Sequence, residues 1–534
     1  MATTKDANNV ALNLGTSWVG GITPQTNGDI ALFDGTFNTG NPALSLGGNV
    51  TWLGIQMLNP VQDVTIGAGS TLTLGSSGID TTFSSFNLTL NPNLQLTGTG
   101  QTWTAGGPLL VGGAVNLGGG TLSITTVNSG TVSGLASVTG SLSNGSVVVA
   151  GAGITTLAGN DNVSQIIVNS GTASLFGSKT IGSVTLNSGL LNVGGNAALG
   201  TGRLILNGGT IDNLSGAAVT LNTIPITLNG NVTFAGSNNL NTGLGSITVA
   251  TASTLTVANR VLTLGTGIST SFNMTVNGAG TLNLAPVNTF GTASTFTLGG
   301  TVLVNITGTS MIQAGTFAIN GGRFDNTSGA PMTLNIPVTF GGNSTFGGSN
   351  NLSFGNTVAM TGNSNLFIGQ GTVTIPTILT GGSVLTESGT GQLLFTGSQN
   401  TFNAFNVGSG TMKVLNSRIT NNAADTVGSV AGVPGVLIVD GGTITSTSNA
   451  NPALRIGSGA NGMGVVKVTN GGVLSYNGGA AAQVYVGGNN GGAYASLNVS
   501  NGGSFSNGYW LVVGFSNDRG IVTMTGGSIT ANTL

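Results

Sequence analysis

Hydrophobic and polar residues alternate along nearly the whole chain. The runs "TLTLG" from Thr71, "TLTV" from Thr254 and "SLNVS" from Ser496 repeat with a period of two, and Gly, Asn or Ser interrupts such runs every five to eight residues. Period-two runs of Thr, Val, Ile and Leu are typical of short β-strands. We find no segment with the period of an amphipathic helix, so the pattern predicts an all-β protein.

Two levels of repeat lie above this alternation. The turn sequence "NSG" occurs at Asn128, Asn169 and Asn187, and these positions predict a structural coil of roughly 18 to 22 residues. A much longer segment that begins at Gly202 returns from Gly315. Duplication of several coils is natural in a solenoid, because each coil contacts only its neighbours.

The last hundred residues carry the most regular repeat, in which "VVKVTNGGVLSY" from Val465 is one copy. Its glycine pairs recur at intervals of about 24 to 31 residues, at Gly441/Gly442, Gly471/Gly472, Gly502/Gly503 and Gly526/Gly527. Such a sequence is either a loop that binds a substrate or a corner, that is, a turn between two strands of the scaffold. We interpret it as a corner, where glycine takes a positive φ, and predict a parallel β-solenoid with inward Val, Ile and Leu forming a continuous ladder.

The amino-acid composition argues against catalysis, metal binding and highly charged partners. The 534 residues include 95 glycines, 12 acidic and 10 basic side chains, and no histidine or cysteine. Histidine and cysteine supply most acid–base chemistry near neutral pH and most zinc ligands, so we expect no enzyme, no cofactor and no metal site. Lys and Arg are not clustered, which disfavours nucleic acid and acidic membranes as partners. No apolar run is long enough for a membrane-spanning helix.

The remaining chemical candidates have structural interpretations. "GSGANG" at 457–462 has the glycine spacing of a dinucleotide-binding loop, but the strand "VVKV" follows it, and a helix N-terminus is needed to hold a pyrophosphate. Glu387 is the one glutamate, and the aspartates are scattered singly. Asp212, beside Asn213, and its repeat equivalent Asp325 are interpreted as turn-stabilising residues. A polysaccharide-active site would require two carboxylates close together.

Aromatic residues suggest a surface. All four tyrosines and one of the four tryptophans lie near the end of the chain, at Tyr476, Tyr485, Tyr494, Tyr509 and Trp510. Rigid amphipathic rings stack on sugars or on a neighbouring subunit at low entropic cost, so these five are our candidate ligand or self-association surface. The alternative is that they fill and cover a wider terminal coil.

Asparagines at turns are expected to form ladders of hydrogen bonds from coil to coil.

Several segments resemble known repeats. Residues 435–531 resemble the repeats shared by type V secreted passengers and by large exported bacterial proteins with a C-terminal sorting signal. Residues 389–417, "GTGQLLFTGSQNTFNAFNVGSGTMKVLNS", are similar to the autotransporter-associated β-strand repeat, and residues 278–305 match it less closely. The N-terminal "TSWVGGITPQTNGDIALFDG", with Trp18, resembles the segment that often precedes such repeats.

This resemblance implies a right-handed parallel β-helix that a Gram-negative bacterium exports to its outer surface or the medium. It divides the chain into an N-terminal cap at 1–40, a solenoid with autotransporter-associated repeats at 41–420, and a regular Gly-Gly solenoid at 421–534. The chain departs from the family pattern in one respect, because no barrel translocator or hydrophobic sorting tail is recognisable up to Leu534.

The function expected from the sequence is that of an exported, non-enzymatic structural solenoid, a surface stalk or fibre. It is expected to form homo-oligomers or filaments through unpaired strand edges, with the edge at Leu534 as one candidate. Two alternatives stay open. One is an adhesin passenger that binds host or glycan surfaces, and the other is a polysaccharide-active β-helix enzyme.

Overall fold

A computed structural model describes residues 1–26, 28–40, 42–97, 100–128, 134–308, 310–376, 379–479, 481–488 and 491–533. The chain forms two compact units, Met1–Thr266 and Gly267–Leu534. Its described residues contain 63 short strands, one 3-10 turn at Gly15–Ser17 and no α-helix. The predicted edge residue Leu534 lies outside the described residues, and the predicted divisions at 40/41 and 420/421 stay predictions.

The first unit winds through three parallel sheets. The strands of its first sheet are Ala2–Thr4, Ile30–Asp34, Val50–Leu58, Thr71–Phe83, Asn93–Leu96, Gly100–Ala105, Val115–Asn116, Thr121–Thr126, Leu142–Ser143, Ser146–Gly151, Asn162–Val168, Thr180–Leu186, Arg203–Leu206, Ile226–Leu228 and Ile247–Val249. Those of the second are Ala43–Leu44, Val64–Ile66, Leu88–Leu90, Leu109–Val111, Leu135–Val138, Ile154–Leu157, Thr172–Leu175, Leu190–Val193, Thr210–Asn213, Val232–Phe234 and Ser253–Val257. Those of the third are Val219–Thr220, Leu240–Asn241 and Val261–Thr263.

The second unit begins with a short set of strands, Ile268–Thr270, Val287–Phe290 and Ser310–Gln313. Three longer sheets, named here a, b and c, carry the rest. Sheet a contains Met274–Gly278, Thr295–Leu298, Thr316–Ile319, Val338–Phe340, Val358–Met360, Leu379–Thr380, Asn400–Thr401, Arg418–Asn421, Thr443–Ser446, Val473–Tyr476, Ser504–Val513 and Ser528–Thr533. Sheet b contains Thr281–Asn283, Leu303–Ile306, Arg323–Asn326, Asn343–Phe346, Ser364–Ile368, Val384–Gly389, Ala404–Val407, Asp425–Val427, Leu454–Ile456 and Val484–Val486. Sheet c contains Met332–Leu334, Leu352–Phe354, Thr372–Ile375, Gln392–Phe395, Gly410–Leu415, Pro434–Asp440, Met463–Thr469, Tyr494–Ser500 and Arg519–Thr525.

Strand register confirms the predicted coil lengths. Asn169 and Asn187, from two copies of "NSG", are hydrogen-bonded across one coil of 18 residues. In sheet a of the second unit, the successive register partners are Thr443, Val473, Ser504 and Ser528. Each of these four directly follows one of the glycine pairs, so the spacing of the pairs is the coil length. Both units are therefore parallel β-solenoids, as the repeats predicted; the handedness stays a prediction.

The "TNGG" phrase is a corner between strands. Asn470 has φ +53° and Gly471 has φ +75°, and the N–H of Gly472 donates to the Thr469 carbonyl at 2.9 Å. Two successive residues with positive φ inside a four-residue hydrogen-bonded turn define the type I′ geometry, which favours Asn-Gly. Residues 500–503 form the same turn. The glycine-rich phrase thus turns the chain from one strand to the next.

Inward residues stack on their equivalents in the next coil. In the first unit, one buried aliphatic ladder runs through Val149, Val168, Leu186, Leu206, Leu228 and Val249. In the second unit, a chain of phenylalanine rings alternates between contacts from coil to coil, such as Phe296 with Phe317, and contacts between neighbouring strands of one coil, such as Phe317 with Phe324. Successive centroids lie 5.4 to 6.4 Å apart along Phe290, Phe296, Phe317, Phe324 and Phe346. Burial of these side chains supplies the main driving force for stacking.

The predicted asparagine ladder is confirmed in the first unit. The Asn187 amide donates to the Oδ1 of Asn169 at 2.8 Å, that of Asn207 to Asn187 at 2.6 Å, and that of Asn229 to Asn207 at 2.9 Å. Each inner amide acts as donor to one coil and acceptor from the next, so the ladder fixes the register of the coils it crosses.

Two glycines with nearly the same backbone angle give a matched stability test. Gly428 has φ +76°, and a Cβ there would lie 2.0 Å from the Met463 carbonyl oxygen; Gly471 has φ +75° and no atom within 4 Å of such a Cβ. We expect Gly428→Ala to lower the free energy of unfolding by about 3 kcal/mol or more, because strain and overlap add. Gly471→Ala carries only the strain, about 1–2 kcal/mol. Urea unfolding followed by circular dichroism measures both, and equal losses would contradict the steric argument.

Candidate interaction surface in the last coils

Tyr476 does not belong to the predicted surface. Its side chain is fully buried, and its hydroxyl donates to the Oδ2 of Asp425 at 2.6 Å. Tyr476 is the last residue of Val473–Tyr476, a strand in which the last three residues are all buried. For this residue the structure corrects the prediction of a surface site in favour of the alternative, in which the ring fills the wider coil.

Asp425 is held by donors from three directions. Its Oδ1 accepts the Phe405 N–H at 2.8 Å, and its Oδ2 accepts the Asn421 amide at 2.6 Å as well as the Tyr476 hydroxyl. Burial raises the pKa of Asp425 to about 7, although these three hydrogen bonds oppose the shift. Burial and the adjacent Asp425 raise the pKa of Tyr476 well above its usual value. The cluster ties neighbouring coils together from within the core.

The other four predicted residues reach the surface. Tyr494 and Trp510 are exposed, and Tyr485 and Tyr509 are half-buried. The Tyr509 ring stacks on Trp510 with centroids 5.1 Å apart, and the Tyr485 ring lies 5.8 Å from that of Phe515. Tyr485 also donates its hydroxyl hydrogen to Gln483 at 2.8 Å. The structure thus forms two separate ring pairs; a binding role for them stays a prediction.

Arg519 completes the surface around Tyr494. The two residues are register partners on adjacent strands of sheet c, and the Arg519 guanidinium lies 5.4 Å from the centre of the Tyr494 ring, as in a cation–π contact. Ile521, two residues further on, is 62% exposed. Sequence reasoning missed Arg519, Phe515 and Ile521. Alignment of the last two coils could have paired Arg519 with Tyr494.

Asp212 and Asp325 stabilise turns. Asp212 accepts the backbone N–H of Ser237 at 2.8 Å and its hydroxyl at 2.6 Å. Asp325 accepts the same two donors from Ser349, with the backbone bond at 2.9 Å. Each aspartate thus bonds to the next coil of its own unit, which confirms the turn-stabilising interpretation.

A buried ion pair in the first unit was not predicted. The Lys179 ammonium donates to the Oδ2 of Asp161 and, at 2.9 Å, to the Gly159 carbonyl, and both side chains are buried. The Oδ1 of Asp161 accepts the Leu142 N–H at 2.9 Å. Burial lowers the pKa of Lys179, and Asp161 opposes that shift. The two charges are separated by 18 residues, one coil length, and this separation is the sequence signal that could have found the pair.

Comparison with known proteins finds no relative. No protein-family model, curated protein or solved structure matches the chain. The class of protein that the fold itself defines is a parallel β-solenoid repeat protein. Within the described ranges, no group of three or more acidic, His or Cys side chains could hold a metal ion. Likewise, the described residues form no helix with the length and apolarity needed to span a bilayer.

Proposed function

We propose that the chain is an exported, non-enzymatic structural β-solenoid, a surface or extracellular fibre or stalk protein that assembles with its own copies. The observation that carries this proposal is that carboxylates of this chain bind neighbouring coils to each other. Asp161, Asp212, Asp325 and Asp425 all accept hydrogen bonds from neighbouring coils. A hydrolase or lyase needs carboxylates that converge on an accessible cavity, whereas a scaffold needs coils that are held in register.

Support for export comes from the sequence. The repeats at 389–417 and 435–531 resemble those of type V secreted passengers, and the chain has no cysteine, so passage through an oxidising compartment carries no risk of wrong disulfides. The proposed location is therefore the outer surface of a Gram-negative bacterium or its medium.

Adhesion is the second candidate function. The exposed Tyr494 ring offers a flat apolar face beside the Arg519 cation. The stacked Tyr509 and Trp510 rings offer a second apolar surface. Aromatic faces bind sugars through their C–H surfaces, and a guanidinium binds carboxylates. An adhesin would use these groups for a host or bacterial glycan. The polysaccharide-active enzyme has no specific observation in its favour.

Electron microscopy and light scattering over a range of protein concentrations test the proposal. We expect the purified chain to assemble reversibly as its concentration rises, and to release no product from a panel of acidic polysaccharides. Glycan binding that Tyr494→Ala abolishes and Phe367→Ala preserves would favour the adhesin, since Phe367 is exposed far from these rings in sequence. Turnover that is lost in Asp212→Ala would overturn the non-enzymatic proposal.

A further inference from the structure

Charge is distributed unevenly along the chain. Residues 1–80 contain five aspartates and one lysine, a formal side-chain charge of −4. Residues 81–409 contain four acidic and four basic side chains, so they are neutral, and residues 410–534 contain five basic and three acidic side chains, a charge of +2. The net charge of −2 therefore conceals an acidic segment in the first unit and a basic segment in the second.

Large exposed apolar side chains concentrate within or directly beside the same two segments. Among the described residues, seven lie within residues 1–83 and eight within residues 430–524, whereas six are spread singly over positions 154–367. Isolated exposed apolar residues are ordinary, but contiguous ones mark interaction sites. Each charged segment thus also carries apolar surface.

In the first unit, one of these aspartates and three of these apolar side chains form a patch, named here the acidic patch: Asp34, Leu58, Val61 and Phe83. Asp34, Leu58 and Phe83 are register partners on three successive strands, and Val61 lies over Gly35, next to Asp34. The exposed fractions of the three apolar side chains are 37%, 48% and 62% in chain order. A carboxylate thus sits at one end of a continuous exposed apolar row.

In the second unit the corresponding surface, named here the basic patch, comprises Lys467, Tyr494, Phe515, Arg519 and Ile521. Tyr494 and Arg519 are in contact, a turn from Phe515 leads directly into Arg519, and Ile521 follows on the same strand. Lys467 is exposed on the other strand that pairs with the Tyr494 strand in sheet c, where its register partner is Asn498. Neither Lys467 nor Arg519 forms an ion pair with a described residue.

We propose that the acidic patch of one copy binds the basic patch of a second copy. The two patches are opposite in charge, and both carry exposed apolar side chains. Such complementarity steers association and fixes the orientation of the partners. They are different surfaces on different units, so a bound pair of copies still offers one free acidic patch and one free basic patch. Such a heterologous contact propagates into a ring or an open filament. This inference rests on the proposed assembly function and names its interface.

Two double variants of the full chain test the interface. Asp34→Asn with Phe83→Ser disables the acidic patch, and the asparagine keeps the side-chain oxygen that accepts the Thr36 N–H. Lys467→Glu with Arg519→Glu disables the basic patch. We expect each variant alone to need at least a tenfold higher concentration to assemble. Mixed at equal concentration, the two variants should form a dimer of two 52.2 kDa chains and nothing larger, since one working patch of each kind remains.

The control is Arg323→Glu with Phe367→Ser, which alters an exposed cation and an exposed ring outside both patches. It should assemble as the parent does, and circular dichroism should show all variants folded. Assembly of the parent should weaken as the salt concentration rises from about 0.05 M to about 1 M, because the screening length falls to about 3 Å. If both patch variants assemble like the parent, this interface is wrong although assembly stands. If the parent stays monomeric throughout, assembly itself is overturned.

Discussion

Replacement of Lys179 by methionine is expected to lower the free energy of unfolding by about 3–5 kcal/mol. The substitution removes the ammonium but leaves the Asp161 carboxylate buried, where its Oδ2 loses its charged partner. A charge left without a partner in the core costs far more than the intact pair contributes. Urea unfolding of the full chain at pH 7, followed by circular dichroism, measures the loss in the first unit.

The second unit supplies a matched comparison for this ion pair. Lys413 and Asp440 lie 2.7 Å apart, with 25% and 19% of their side chains exposed. Water and salt screen this pair, so Lys413→Met should change the free energy of unfolding by about 0–1 kcal/mol. If Lys179→Met and Lys413→Met lower the free energy of unfolding by similar amounts, burial is not the reason why the Lys179–Asp161 pair matters for stability.

The stability of the second unit is expected to fall as the pH rises from about 4 to about 8. Burial raises the pKa of Asp425 to about 7 and that of Glu387 to about 8, whereas in the unfolded chain both titrate near 4. Between these values the folded state holds protons that the unfolded state has released, so unfolding becomes more favourable with increasing pH. Each group contributes on the order of 4 kcal/mol across its window.

Neutral replacements should flatten this profile. Asp425→Asn and Glu387→Gln mimic the protonated carboxyl groups, so the stability of the double variant should change little between pH 5 and pH 8. Asp440→Asn serves as the control. The pKa of Asp440 is lowered, chiefly by its bond with Lys413, so its contribution disappears only in acid and the variant should keep the decline. A parent protein whose stability is constant or rises over pH 5–8 would contradict the assignment.

The repeating part of the fold was predictable from the sequence because it depends on local patterns. Alternation indicates the strands, and the spacing of the glycine pairs reappears as strand register. Side chains at the ends of strands were harder to predict. In Val473–Tyr476 three consecutive residues are buried, since alternation ends where the chain bends into a corner, and a period of two could not place Tyr476.

The interaction surface in the last coils was predictable only in part, because its contacts form between coils. Residue type does not decide exposure, because Trp510 is exposed whereas Trp18, Trp52 and Trp103 are buried. The contact of Tyr494 with Arg519 depends on the length of the coil between them, which is set by loops that differ between repeats. The Lys179–Asp161 pair likewise depends on a coil of 18 residues. Contacts between coils can be predicted from the sequence once the length of each coil is known.

The turn that holds Asn213 recurs in the second copy of the long repeat. The amide of Asn213 donates to the carbonyls of Ala217 and Asn239, both at 2.7 Å, and that of Asn326 donates to Ala330 and Asn351 at 2.8 and 2.7 Å. All donors and acceptors of this turn lie within one copied block. A gene that gains or loses the block by unequal recombination therefore leaves no partner of this turn behind. The length of this protein can thus evolve in whole steps of several coils, while an indel of a few residues inside a strand would disturb every ladder that crosses it.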